Sequence, residues 1–262
     1  MVGYHQYIFF LLGIFYMYMF LVYFYLFLSP NVWAFKINLM DSNLELGQGK
    51  YSTTATIVND SENMIAIEAG ARIRDYDLEG VENFDQLAED LIVIPSQMII
   101  PPNSEQVINI RWTGPKKIPT EKAYRLLIEY VSISEDKLLG QKTDEQQAGI
   151  NINYRIAKSF YVTPKGVKPN VSVKEASIKT IEDKESLHLS FENLGHKHQI
   201  ANVIDMTFLT DLDNAINLSF KKEDLGGTIN FLPLQKREVK IPVPPQLQGT
   251  IIKEAVIVNI TK

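Results

Sequence analysis

From Tyr51 onward the chain runs in short stretches where apolar and polar residues alternate, and that period of two predicts half-buried β-strands. The stretches lie at Tyr51 to Val58, Met64 to Ile73, Leu91 to Ile94, Gln106 to Trp112, Tyr124 to Ile133 and Ile150 to Val162. A second series follows at Val171 to Ile178, Ser186 to Phe191, Ile200 to Leu209, Ala215 to Phe220, Thr228 to Leu232, Arg237 to Val243 and Ile251 to Ile260. Their roughly ten-residue spacing, punctuated by Asn, Asp, Gly and Pro, predicts an all-β chain of two tandem immunoglobulin-like β-sandwich domains. The segment VENFDQLAEDL (Val81 to Leu91), apolar at 84, 87, 88 and 91, fits either a short helix or a one-turn excursion between strands.

The beginning of the chain breaks this rhythm. Tyr7 to Leu28 contains no charged residue, and at about 1.5 Å per residue a helix of that length spans a bilayer. Ser29-Pro30 ends the apolar stretch, and Val32-Trp33-Ala34 then places small residues at the positions a signal peptidase reads. Residues 1–34 are therefore expected to be a signal peptide, with an uncleaved anchor as the alternative; both export the remainder. Near Thr163 the segment TPKGVKPN sets Pro164, Gly166 and Pro169 between two alternating runs, the make-up of a short stiff linker. The expected division is 1–34, 35–164 and 165–262.

Composition narrows the chemistry. Of 262 residues 45% are hydrophobic and 22% charged, which is an ordinary globular balance. A net charge of -5 without a long basic run gives no electrostatic footprint for nucleic acid. There is no cysteine, so disulfides, thiolate nucleophiles and zinc-thiolate sites are excluded. His196 and His198 form an HxH, for which a polar turn after Asn193-Leu194-Gly195 is the simpler reading, since no carboxylate lies beside it in sequence. Gly-rich phosphate loops, nucleophile elbows and HExxH motifs are missing, so no enzyme, metal or cofactor is predicted. Asn59, Asn170, Asn217 and Asn259 begin NxS/T sequons of the kind that chance supplies in an Asn-rich chain.

The most informative segment is GININYRIAKSFYVTP (Gly149 to Pro164). Ile150, Ile152, Tyr154 and Ile156 alternate with Asn151, Asn153, Arg155 and Ala157, so one face of a long strand is apolar. Placed just before the linker, it is the last strand of the first domain. Its apolar row either faces its own core or serves as an edge lent to a partner sheet, since proteins blunt exposed edges unless pairing is their purpose.

These residues resemble those of the periplasmic pilus chaperones of chaperone/usher secretion. The likeness rests on Ile94-Pro95-Ser96, on IPPNSEQVINIR (Ile100 to Arg111), on EKAYRLLIE (Glu121 to Glu129) and on RIAKSFYVTP (Arg155 to Pro164). Asn59-Asp60 and FENLG (Phe191 to Gly195) add two turns in the same order, and YRLLIE is most similar to the archaic branch. The resemblance implies a non-enzymatic periplasmic chaperone that lends a strand to incomplete pilus or fimbrial subunits and passes them to an outer-membrane usher. It implies no cofactor, no nucleic acid and no stable membrane association once the leader is removed. The subunit-binding strand would be Ile150, Ile152, Tyr154 and Ile156.

The family also holds the subunit's terminal carboxylate with two basic residues in the cleft between its domains. By resemblance Lys158 takes one place. Asn43 stands where many members carry the other base, which leaves Arg125 or Arg155 as its replacement. Strict alternation puts the apolar row on the same side as Lys158, whereas common members use the opposite side; a bulge near Ala157 would reverse the facing. The rival reading is an exported adhesive or structural protein with two immunoglobulin-like domains, retained or not by its N-terminal segment.

Overall fold

The computed structural model describes residues 14–20, 36–39, 42–47, 49–83, 85–131 and 155–262. Met1–Phe35 and Lys36–Lys262 form separate units. In the first, residues 14–20 are helical, and among the described residues no helix is long and apolar enough to cross a membrane.

The second unit opens with β1 (Lys36–Leu39), β2 (Asn43–Leu46), β3 (Ser52–Asn59) and β4 (Ile65–Ile73). A two-residue hairpin ladder, β5 (Asp75–Tyr76) with β6 (Glu82–Asn83), is followed by β7 (Leu91–Ile94), β8 (Gln97–Ile100), β9 (Ser104–Trp112), β10 (Lys122–Val131) and β11 (Arg155–Pro164). These strands build one sheet in the order β1-β3-β9-β7 and a second in the order β2-β11-β10-β4-β8. Alternation along β3 and β9 buries Ala55, Ile57, Ile108, Ile110 and Trp112, and alternation along the second sheet buries Ile67, Ala69, Tyr124, Leu126, Ile128 and Phe160. Trp112 of one sheet meets Tyr124 of the other edge-on at 6.4 Å.

The remaining strands are β12 (Val171–Ile181), β13 (Lys184–Asn193), β14 (Gln199–Ala201), β15 (Val203–Thr210), β16 (Ala215–Lys221), β17 (Ile229–Phe231), β18 (Lys236–Pro242) and β19 (Ile252–Thr261). They form β12-β13-β18, β16-β15-β19 and the short pair β14-β17 around a core that includes Leu189, Phe191, Met206, Phe208, Phe231 and Ile241. The chain is thus two β-sandwiches in tandem, as the alternation predicts. The Val81 to Leu91 segment contains no helix among its described residues: β6 and a single bridge from Leu87 to Arg72 take it past the sheet edge as an excursion. Strands β1, β2 and β8 are missing from the sequence reading because each has only four residues and, unlike the equally short Leu91–Ile94, none is an unbroken apolar run.

Each sandwich contains the same internal peg. The side chain of Asn59, fully buried, donates to the carbonyls of Asn63 (2.8 Å), Ile100 (3.1 Å) and Pro101 (2.9 Å) and accepts from Ser61. Asn193, equally buried, donates to Lys197 O (2.8 Å) and Phe231 O (3.0 Å) and accepts from the N–H groups of Asn170 and Gly195 (3.0 Å each). A buried asparagine cannot carry a glycan, so Asn59 is removed from the sequons. Asn193 also stitches the interdomain segment to the second sandwich, helped by Leu194 N–H to Asn170 O (2.9 Å) and His196 N–H to Lys168 O (3.0 Å). A side chain on Gly195 would lie 2.3 Å from Asn170 N, so only glycine permits this approach.

Replacing either Asn59 or Asn193 by alanine strands several buried carbonyl and N–H groups, and each variant is expected to lose about 2 to 4 kcal/mol of unfolding free energy. Urea titration of the two variants tests this; a loss below about 1 kcal/mol would show that the pegs are dispensable.

Candidate functional site: an open strand edge beside an interdomain cleft

Strand β11 pairs antiparallel with β10 along its length, from Arg155↔Glu129 to Val162↔Lys122. On its other side β2 pairs with it in parallel only from Tyr161↔Asn43 to Pro164↔Leu46, and the Tyr161 N–H donates to Ser42 O (3.0 Å). Among the described residues, Arg155 to Phe160 therefore form an unpaired edge. Because main-chain groups alternate in direction, those of Arg155, Ala157 and Ser159 point to the open side, as Tyr161's do.

The register is unbroken through Ala157, so no bulge reverses the facing in this part of the strand. Ile156, Lys158 and Phe160 share the inner face; Phe160 is in the core, Ile156 is half-buried and Lys158 is exposed. Among the described residues the Lys158 ammonium has no ion-pair partner. Ile150, Ile152 and Tyr154 lie outside the described residues.

The opposite face looks into the cleft between the sandwiches. There Arg125 (side chain 17% exposed) and Arg74 (7%) converge on Glu82 (17%). Glu82 Oε1 accepts from Arg74 Nε (2.9 Å), Arg74 Nη2 (2.6 Å) and Arg125 Nη2 (2.6 Å), and Oε2 accepts from Arg125 Nε (2.7 Å). The remaining Nη1 groups donate to Ser159 Oγ, at 2.5 Å from Arg125 and 3.4 Å from Arg74, and Arg74 Nη1 also reaches Tyr161 OH at 2.8 Å. Burial pushes the Glu82 carboxyl up, but the hydrogen bonds and charges of Arg125 and Arg74 outweigh it and hold the carboxyl below its ordinary range.

Tyr161 carries the cluster across to the second sandwich. Its hydroxyl also accepts from Asn230 Nδ2 (2.6 Å), and its ring stacks on His198 with centroids 3.8 Å apart. His198 contacts the buried Glu121 carboxylate twice, from its N–H (2.9 Å) and from Nδ1 (2.6 Å). Glu121 Oε2 accepts from Thr163 Oγ1 (2.6 Å), and Asn43 Oδ1 lies 2.6 Å from the same hydroxyl. Burial pushes the Glu121 carboxyl up; bonds from His198 and Thr163 more than offset this and lower it.

The residues expected at the site are thus divided. Arg125 is in the cleft, Lys158 is on the other face of the same edge, and Arg155 is a solvent-side partner of Glu129 (2.6 Å), four residues along the strand from Ser159. Asn43 sits at the hinge, against Thr163. His196 and His198 face Thr120 and Glu121, and among the described residues no group of three His, Cys, Asp or Glu is arranged to hold a metal. Sequence reasoning missed Arg74, Glu82, Glu121 and Tyr161, which come from distant segments that no short-range pattern connects.

No family model and no curated protein matches the sequence. Among solved structures, a chain of the CsuC-CsuE chaperone-tip adhesion subunit pre-assembly complex, from archaic chaperone-usher Csu pili of Acinetobacter baumannii, is similar over 86% of this chain and 97% of its own, with 12% identity and a TM-score of 0.52. The class 5 fimbriae chaperone CfaA is similar over 87% of this chain and 100% of its own, at 16% identity and a TM-score of 0.50. A chain of the chaperone-tip adhesin complex of CFA/I fimbriae biogenesis matches over 86% and 99%, at 18% identity and a TM-score of 0.50.

Two carboxyls held low in the folded state contribute stability that is complete above the unfolded carboxylate range and is lost as pH falls through their lower folded values. Urea midpoints are expected to fall slightly from pH 7 to about 5, where burial holds the His188 imidazole below its ordinary value, and to drop further below about pH 4. Glu121→Gln is expected to flatten that drop, leaving the part due to Glu82; an unchanged slope would remove Glu121 from this account. In its architecture, the chain shares the two-domain immunoglobulin-like fold of the chaperone/usher pilus chaperones.

Proposed function

We propose that the chain is an exported, non-enzymatic chaperone that captures incomplete β-sandwich subunits by lending them the free edge of β11. The observation that carries this reading is the stretch Arg155 to Phe160, which among the described residues is open on one side while its other side is fully paired to β10. A long free edge on a stable sheet is a liability unless a partner strand is meant to occupy it. The fold shared with pilus chaperones, two of them captured with an adhesin subunit, supports the choice of a pilus or fimbrial subunit as that partner.

In this reading residues 1–34 are the leader, 35–164 the strand-lending domain and 165–262 the second domain, and the protein works in the periplasm and hands its cargo to an outer-membrane usher. Main-chain hydrogen bonds along Arg155, Ala157 and Ser159 give the captured strand its register. Ile150, Ile152, Tyr154 and Ile156 fill the groove left by the missing strand; four such side chains supply on the order of 10 kcal/mol before the costs of association. Lys158, exposed and without an ion-pair partner among the described residues, is one of two carboxylate anchors and reaches the end of the captured strand from the inner face. Arg125 serves the cleft face, and Arg155 contributes at the far end of the edge.

The test is copurification of the full chain with candidate subunits from a bacterial periplasm. Ile152→Asp with Ile156→Asp is expected to reduce recovered subunit at least tenfold, and Lys158→Ala several-fold, with unchanged circular dichroism. If wild type and variants recover the same subunit, or none, the edge is structural and the adhesive two-domain reading replaces this one.

A further inference from the structure

The two arginines of the cleft are not empty receptors. Each guanidinium presents its Nε–Nη2 edge to Glu82, and each remaining Nη1 is turned toward Ser159. The Nε–Nη2 fork of each arginine is taken by Glu82, so a second carboxylate that uses either fork must displace it. Two positive charges against one leave the seat with a single unbalanced charge, so exchanging one carboxylate for another costs no net charge.

Glu82 is carried on a slight support. Its own ladder is only the pairs Asp75↔Asn83 and Tyr76↔Glu82, too short to stand alone. Its turn is closed by Asp77 N–H to Val81 O (3.1 Å) and its returning arm is tied to β4 by Ile73 N–H to Gln86 O (2.9 Å), and the second sandwich braces it from the other side. Leu78 O accepts from Glu238 N–H (2.7 Å), Tyr76 OH accepts from Leu232 N–H (2.8 Å), and Asp75 accepts from Gln235 Nε2 (2.9 Å). The Arg237 guanidinium lies over the Tyr76 ring at 5.4 Å and fills the space where a Gly80 side chain would be.

The seat is also where a captured strand must end. A strand laid parallel to β11 along Arg155 to Phe160 is stopped by β2, which takes over the pairing at Tyr161, so its carboxyl end lies beside Ser159, the hydroxyl that Arg125 touches; an antiparallel strand would bring its amino end there.

We propose that Glu82 is a latch: the chain's own carboxylate closes the Arg74–Arg125 seat, the β5–β6 hairpin keeps it there by docking on the second sandwich, and the terminal carboxylate of a captured strand displaces it. This rests on the strand-capture reading and deepens it. Arg74 becomes a ligand-binding residue, and Arg237 a positioning residue that acts through Glu82.

The test uses the full chain and a short peptide of alternating valine and threonine with leading lysines, prepared as the free acid and as the C-terminal amide. Glu82→Gln is expected to bind the free acid about tenfold more tightly than wild type does, with the amide changed less than twofold. Arg237→Ala, which loosens the hairpin and leaves the three charged groups intact, is expected to give a smaller gain confined to the free acid. If both peptides bind all three proteins with no acid-specific gain, or if Glu82→Gln weakens the free acid, the latch is overturned while strand capture stands. If neither peptide binds any of the proteins, strand capture falls and the latch with it.

Discussion

Strand β11 is asked to do two incompatible things, and the structure separates them along its length. At Tyr161 and Val162 it is an interior strand, flanked by β10 and β2, with β2 continuing alongside to Pro164, and its side chains Phe160 to Thr163 are buried. From Arg155 to Phe160 it is, among the described residues, an edge. The interior half anchors the strand so firmly that the edge half can stay extended without a second neighbour. If the pairing with β2 began six residues earlier the edge would be closed, and if β2 were absent the strand would have no fixed end. The site, the cleft and the joint between the sandwiches all depend on where that one parallel pairing stops.

The joint itself is polar. Glu121, Thr163, His198 and Tyr161 connect the sandwiches through hydrogen bonds and one ring stack, with the β5–β6 hairpin as a second brace on the other side of Tyr161. A polar joint holds a defined angle, because each donor has one acceptor in one direction, whereas an apolar joint of the same area tolerates sliding. Such a joint is also responsive: it contains carboxylates whose charge depends on their neighbours, and a ligand that changes those neighbours changes the joint.

The two asparagine pegs show a different economy. Asn59 and Asn193 each close the same kind of turn from inside, at the end of a long strand that leads into the opposite sheet. In a chain without cysteine, where no disulfide can join the sheets, a buried amide with three or four partners supplies part of the missing cross-connection.

Much of this was legible in the sequence, and the division follows range. Alternation is a local property, so the thirteen or so strand segments, the two-sandwich class and the apolar row of Gly149 to Pro164 could be read without a structure. Arg125 was within reach because it sits in a motif, and Lys158 because it precedes an aromatic pair. What alternation cannot say is which side of a strand remains unpaired, since that depends on where a distant segment such as Asn43 to Leu46 is laid down. Nor can it bring Arg74, Glu82 and Arg125 together, or set His198 against Glu121, because these contacts join residues far apart in sequence and exist only once the sheets have closed. The sequence by itself determined the strands and their faces; tertiary pairing alone decided which edge is open and which arginines are already occupied, because both depend on long-range neighbours that carry no local signature.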